Sequence, residues 1–248
     1  MVEQRSLRTD WYRQAFNELY LLVYAHRSED RARRQVSCLL RSLRLKQGEW
    51  VLDLCCGSGR HLRFLRKAGL QAVGLDLSAA LLREAKRKED LLGSLVRGDM
   101  RCLPFEGPFS CVLNLFSSFG YFAEETENEK ALAEMVRVLK KGGYLVIDHM
   151  NKPYLERNLV PRSEEVFLQG KLLQERRISK GRVEKEITLI QRGREPLHIH
   201  ESVRIYEKVE LECLLKSFGL KSLWWWGEFD GRPLTPDSPR MIVVAKKA

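Results

Sequence analysis

The residues best suited to chemistry lie at positions 50–61, Trp-Val-Leu-Asp-Leu-Cys-Cys-Gly-Ser-Gly-Arg-His. A short apolar run carries one carboxylate, Asp53, into a tight turn holding Gly57 and Gly59, and a helix-like pattern (Leu62, Phe64, Leu65) follows at once. Glycines in such a turn let the backbone approach a ligand, and the helix start presents unpaired N–H groups. Twenty-three residues beyond Asp53, the run Ala72-Val73-Gly74-Leu75 ends in Asp76. A carboxylate there can accept both hydroxyls of a ribose. The same place, just before Leu77-Ser78, also suits the N-cap of a helix. On the first reading these residues outline a nucleoside site.

What the turn lacks narrows the ligand. A dinucleotide fold uses Gly-x-Gly-x-x-Gly, its third glycine permitting close helix–strand packing beside a pyrophosphate. Here a pattern begun at position 55 has Cys55 for its first glycine, and one begun at Gly57 has Leu62 for its third. Asp53, directly before the turn, repels phosphate and suits an ammonium group. At this point the chain resembles the class I S-adenosylmethionine-dependent methyltransferases, whose first motif reads roughly Val-Leu-Asp-Leu-Gly-Cys-Gly-Ser-Gly. Cys55 departs from it in replacing the first glycine; being small, it is expected to preserve the turn with a tighter fit. Gly98-Asp99-Met100 follows a third strand-like run, Ser94-Leu95-Val96, where the family places an adenine-binding acid and a side chain against the ring. A fourth run, 109–116, leads into an aromatic-rich loop from Asn114 to Phe122. The resemblance implies a donor site built from Asp53, Cys55, Gly57, Gly59, Asp76, Leu77, Asp99, Met100 and Asn114. It covers residues 36–151 firmly and 207–248 more loosely.

The elements that must position these groups alternate strand and helix across residues 36–151. A helix over 127–139 is expected to stop at Lys140-Lys141-Gly142-Gly143, a basic last turn followed by glycine. The fifth strand, 144–148, leads to His149. Residues 1–35 read as a helical cap whose Phe16, Tyr20 and Tyr24 recur at i, i+4, i+8. Such a stripe suits core packing or a pocket wall equally. Residues 152–206 break the alternation into four strand-like runs (166–169, 171–178, 182–191 and 197–206) parted by Lys180-Gly181 and Arg192-Gly193-Arg194. This inserted antiparallel sheet is expected to act as a substrate lid or dimer surface. A helix over 207–218 and a closing hairpin complete a doubly wound α/β sheet of seven strands, the seventh antiparallel.

Methyl transfer needs a base only when the acceptor arrives protonated. His149 is the first candidate, with Tyr121, His200 and His26 after it. Tyr24, Phe119 and His200 are the candidate substrate contacts. The fourth-strand loop lacks the Asn/Asp-Pro-Pro-Tyr signature of base-amino methylation, and no Pro-Cys pair supports pyrimidine C5 chemistry. A small-molecule acceptor methylated at N or O is therefore expected.

Composition supplies the alternatives. The 248 residues carry 43 basic and 33 acidic groups, a net charge of +10. Residues 50–151 are near balance, while 1–49 hold 10 basic against 6 acidic groups and 152–206 hold 12 against 8. That excess makes an RNA-modifying methyltransferase the second reading. A nicotinamide oxidoreductase and a non-catalytic nucleoside-binding protein stand further off. No apolar run approaches a membrane span, and no signal-peptide core begins the chain. Six cysteines without a Cys-x-x-Cys pair argue against a metal site and for reduced thiols in a cytoplasm. A monomer or a homodimer fits equally.

Overall fold

The computed structural model describes residues 10–24, 28–167 and 170–248. His26, and the end of the run expected at 166–169, lie outside them. The helical cap is two short helices, α1 (Trp11–Ala15) and α2 (Glu18–Val23), followed by α3 (Glu29–Leu43). The core then reads β1 (Trp50–Leu54), α4 (Arg60–Lys67), β2 (Gln71–Asp76), α5 (Ala79–Lys86), β3 (Leu95–Arg97), β4 (Phe109–Asn114), α6 (Glu125–Val138) and β5 (Leu139–Met150). After α7 (Lys152–Asn158) come β6 (Arg162–Phe167), β7 (Gly170–Ser179), β8 (Arg182–Gln191) and β9 (Leu197–Arg204). Helix α8 (Lys208–Ser217) and strands β10 (Leu220–Trp226) and β11 (Arg240–Lys247) end the chain.

The main sheet runs β10-β11-β5-β4-β1-β2-β3, with β11 antiparallel to both its neighbours. Strands β1 to β5 are mutually parallel. Strand order reverses between β1 and β4, the crevice where open α/β sheets bind ligands. Asp53 sits next to the end of β1, Asp76 ends β2 and Asn114 ends β4, so topology alone carries three expected residues to one sheet edge. One apolar cluster packs α3 and α4 against one face; the other packs α1, α6 and α8 together with Leu172, Ile187, Leu189 and Ile199 of the second sheet. That four-stranded antiparallel sheet, β6-β7-β8-β9, thus shares a core with the main one.

Three local expectations differ. Helix α6 ends earlier than expected: its C-cap is Leu139, already extended, and Lys140–Gly143 belong to β5. Gly142 has φ +74°, and a Cβ on Gly143 would press on the Lys140 and Phe109 carbonyl oxygens at 2.9 and 3.1 Å. The glycines serve an irregular strand start beside the Phe109/Cys111 register shift, not a helix cap. Helix α3 runs through residues 35 and 36, so no break falls where the cap was expected to end. The aromatic stripe spans two helices, because Phe16 leaves α1 and the Asn17 side chain accepts from Leu19 N at 2.8 Å to start α2.

The close helix approach that a third turn glycine would give is supplied from the opposite side. Gly74, central in β2, faces the turn, and a Cβ there would meet Cys56 Sγ and Leu62 Cδ2 at 2.7 Å each. Both side chains are buried, so a Cβ there requires one of them or the turn to shift. Gly74→Ala is expected to cost about 1–3 kcal/mol by overpacking, read as a lowered urea midpoint. An unchanged midpoint would show that the turn can shift.

Candidate functional site

A cavity of about 440 Å³ opens at the switch point between β1 and β4. That is the size of a small-molecule site. Asp53, Cys55, Gly57, Asp76, Leu77, Asp99, Met100, Tyr24 and Tyr121 all line it.

Asp76 organises the floor. Its Oδ2 accepts from Gly57 N and its Oδ1 from Ser78 N, each at 2.8 Å. Ser78, not Asp76, caps α5, its Oγ accepting from Leu81 N at 3.1 Å. The capping alternative is thereby removed for Asp76, which holds the turn and faces the cavity at once. Leu77 adds a third backbone hydrogen bond, and the carboxylate, with about four lone-pair sites, keeps acceptor capacity for a ligand hydroxyl. Burial pushes its carboxyl above the ordinary range.

Asp53 is 2% exposed, and its Oδ2 has no hydrogen-bond partner. Burial raises its carboxyl to about 7, against the Leu62 backbone hydrogen bond that lowers it. A buried carboxylate oxygen without a partner carries a desolvation cost that a cationic ligand would remove. Asp99 differs: Arg101 grips it with Nε–Oδ1 at 3.0 Å and Nη2–Oδ2 at 2.6 Å, and burial is outweighed, holding its carboxyl low.

Cys55 occupies left-handed backbone, φ +61°, the conformation the family's glycine adopts without cost. Its Sγ lies 3.9 Å from Met100 Sδ and 4.0 Å from Asn114 Nδ2. Burial, then the nearby Asp76 and Asp53 charges, lift the thiol well above its usual range, so it is a wall group rather than a nucleophile. Asn114 is fully buried beneath this floor, its Oδ1 unpartnered, and does not line the cavity. Gly59 also lies outside the lining; at φ +72° it starts α4 as its N-cap.

The catalytic expectations need correction. His149 is fully buried away from the cavity, Tyr206 N donating to its Nε2 at 3.4 Å. Burial and then the Arg240 charge depress its pKa to about 3, and it does not line the cavity. Strand β5 turns this side chain toward the β9–α8 junction, a choice made by packing rather than by sequence position. Tyr121 does line the cavity, but burial holds its phenol well above the usual range, so it is a neutral hydrogen-bonding group, not a base. Phe119 is buried and stacked on Tyr206 at 5.2 Å. His200 pairs with Glu186 at 2.8 Å within the second sheet. Neither reaches the cavity, and among the described residues none from 152–206 does.

The second sheet instead buttresses the wall. Arg182 donates to the Gly120, Tyr121 and Phe122 carbonyls at 3.2, 3.1 and 3.0 Å. The Tyr24 hydroxyl sits 3.1 Å from both Glu201 oxygens and receives Lys185 Nζ at 2.7 Å. The aromatic wall is continuous: Phe16 lies 4.9 Å from Tyr20 and stacks on Tyr121 at 5.5 Å, and Tyr20 lies 4.4 Å from Tyr24. Arg60, His61, Phe116 and Ser118 also line the cavity and escaped the sequence reading. Arg60 and His61 had a local signal, being the first residues of the helix after the glycine turn. Phe116 and Ser118 had only their place after β4.

Residues 51–143 match the family model described as a methyltransferase domain. The chain is 35% identical over 134 residues to the dTDP-3-amino-3,4,6-trideoxy-alpha-D-glucopyranose N,N-dimethyltransferase of Streptomyces venezuelae, covering 53% of this chain and 55% of that one. It is 38% identical over 107 residues to the demethylmenaquinone methyltransferase of Renibacterium salmoninarum, covering 43% of each. The chain spans about half the length of the curated relatives it matches. Among solved structures, an S-adenosylmethionine-dependent methyltransferase from Clostridium acetobutylicum superposes with a TM-score of 0.79 at 19% identity over 92% of this chain and 95% of that chain. DesVI from Streptomyces venezuelae gives 0.70 at 25% identity, covering 93% and 98%. Residues 51–143 thus match a methyltransferase domain, and the chain has the class I, Rossmann-like methyltransferase fold. The family's methyl donor, S-adenosylmethionine, fits the residues present: Asp53 offers an unpartnered acceptor, Asp76 a carboxylate on the lining with remaining acceptor capacity, and Met100 an apolar surface.

The raised Asp53 carboxyl has a signed consequence. Between about pH 4 and 7 the folded protein binds a proton that the unfolded chain has released, so stability falls as pH rises through that window. Asp53→Asn is expected to flatten the slope, leaving a remainder from Asp76, as measured by denaturation across pH. In the same window, donor affinity should rise with pH, because the ammonium needs the ionised carboxylate. A slope unchanged by Asp53→Asn would remove Asp53 as its source.

Proposed function

We propose that this chain transfers a methyl group from S-adenosylmethionine to a small-molecule acceptor, an amine in preference to a hydroxyl. The observation that carries the reading is the unpartnered Asp53 oxygen, buried beside Asp76 in one cavity under an aromatic wall. When bound, the donor supplies a methyl carbon on a cationic leaving group, so the protein's task is mainly to hold donor and acceptor in line. Asp53 would take the donor's ammonium, Asp76 the ribose hydroxyls and Asp99 the adenine amino group, with Met100 against the ring. Phe16, Tyr20 and Tyr121 would exclude water around the transferring methyl. The acceptor's lone pair forms the new bond as the carbon–sulfur bond breaks, and an amine then sheds its proton to solvent.

Support for nitrogen comes from chemistry and kinship. A neutral amine attacks without a base, and the two bases expected from the sequence are a walled-off imidazole and a protonated phenol. Relatives include sugar N,N-dimethyltransferases and a glycine/sarcosine N-methyltransferase. The second sheet is proposed as a brace for the acceptor wall, and the six free cysteines favour a reducing compartment, the cytoplasm.

Methyl-labelled donor offered with a panel of amino sugars, amino acids and quinols is expected to label an amine. Label entering RNA instead, with binding that falls steeply as salt rises, would replace this reading with the nucleic-acid one. The site assignment has its own check in Asp76→Ala. Losing charge-assisted hydrogen bonds should weaken donor binding about tenfold to a hundredfold. Because Asp76 also holds Gly57 and Ser78, the same change should lower stability by about 1–3 kcal/mol. Donor affinity that survives the substitution would take Asp76 out of the ribose site.

A further inference from the structure

Tyr121 is held in place from several sides. Its carbonyl accepts from Trp11 Nε1 at 3.2 Å and from Arg182 Nη2 at 3.1 Å. Its ring meets Trp11 edge-on at 5.0 Å and stacks on Phe16 at 5.5 Å. The phenol is close enough to Tyr20 and Cys55 to feel both, so it stands between the aromatic cap and the first residue of the glycine turn. All of these except Trp11 and Arg182 line the cavity with it. Burial raises the phenol well above its usual range, which favours the neutral hydroxyl.

The hydrogen of that hydroxyl has a fixed direction. Ser118, 5% exposed and on the same lining, is the side-chain hydrogen-bond partner of the phenol. Ser118 Oγ gives its own hydrogen to Leu115 O at 2.8 Å, so toward Tyr121 it can only accept. The phenol hydrogen therefore points to Ser118, and the phenol oxygen meets the cavity as an acceptor. A group that approaches this oxygen must bring a hydrogen of its own.

We propose that Tyr121 accepts an N–H of the attacking amine, and that this contact limits how many methyl groups the protein adds. The proposal rests on the amine reading above and supplies the count that reading leaves open. A neutral primary or secondary amine offers Tyr121 a hydrogen while its lone pair faces the methyl carbon. The nitrogen–carbon bond forms as the carbon–sulfur bond breaks, the electron pair of the broken bond stays on sulfur, and the new ammonium releases its proton to solvent. Tyr121 orients the nitrogen and takes no proton. A tertiary amine has no N–H, so it would set a methyl group against the phenol oxygen and leave that acceptor unsatisfied. Methylation thus ends at the tertiary amine, and no quaternary ammonium is made.

Two series of amines test the proposal, each offered with methyl-labelled S-adenosylmethionine: glycine, sarcosine and N,N-dimethylglycine, and glucosamine with its N-methyl and N,N-dimethyl forms. The wild type is expected to label the primary and secondary members of at least one series and neither tertiary member. Tyr121→Phe should slow that labelling about tenfold to a hundredfold, narrow the gap between secondary and tertiary members, and bind S-adenosylhomocysteine within about twofold of the wild type. Ser118→Ala releases the phenol hydrogen without removing the oxygen, and should give a smaller loss of the same kind; it repeats the comparison should Tyr121→Phe fold poorly. Tertiary amines labelled as fast as secondary ones by the wild type would overturn the assignment. So would unchanged rates in Tyr121→Phe, or a loss of S-adenosylhomocysteine affinity as large as the loss of rate. Each of these outcomes leaves the methyltransferase reading standing. S-adenosylhomocysteine bound by the wild type with no label on any amine would remove the amine reading, and the role of Tyr121 with it.

Discussion

One carboxylate ties the site together. Asp76 Oδ2 holds Gly57 N in the β1–α4 turn, and Oδ1 holds Ser78 N at the threshold of α5. Two separate strand-to-helix connections are thereby fixed to the end of β2. Ser78 extends the chain of constraint, because its hydroxyl caps α5 and also donates to the Phe16 carbonyl where α1 gives way to α2. The floor of the cavity and its aromatic roof are joined through two neighbouring side chains. Lined by backbone amides, Asp76 is oriented before any ligand arrives, and preorganisation of this kind lowers the entropy cost of binding.

A second constraint shapes the far wall. Phe116 and Ser117 both adopt left-handed backbone, φ 59° and 58°, which side-chain-bearing residues enter only at a cost. The neighbouring strand holds them there. Asp148 accepts from Phe116 N through Oδ2 at 2.9 Å and from Ser117 N through its carbonyl at 2.8 Å. Arg240 bridges Asp148 Oδ1 and Ser117 Oγ at 2.7 and 3.0 Å. Together with Cys55, these make three strained non-glycine residues around one cavity, and strain of this kind collects where function needs an exact wall.

The inserted sheet acts at one remove. Its residues do not touch the cavity among those described, yet Arg182 gathers three carbonyls of the 120–122 loop and Glu201 holds Tyr24. Gly120 lets the end of β9 come close: Arg204 N donates to Gly120 O at 2.8 Å, and a Cβ there would meet Arg204 O at 2.9 Å. The sheet thus helps to set the position of the wall without placing any of its described residues in the lining.

The sequence alone determined the strand-end carboxylates, the glycine turn and the order of the parallel core. Each of those signals is local: an apolar run of a few residues, a turn, then an amphipathic helix. Their convergence follows from topology, since parallel strands joined by helices present their ends along one edge. Only the tertiary structure decided which way His149 faces, that burial raises the Tyr121 phenol above its usual range, that Ser78 rather than Asp76 caps α5, and that Gly74 makes the room a third turn glycine would have made. Each of these depends on what a distant element packs against the residue. Burial sets the proton affinities of His149 and Tyr121, and burial is created by the β9–α8 junction and the N-terminal aromatics, which lie far away in sequence. The backbone pattern carries a group to the sheet edge; long-range packing settles its charge and its partner.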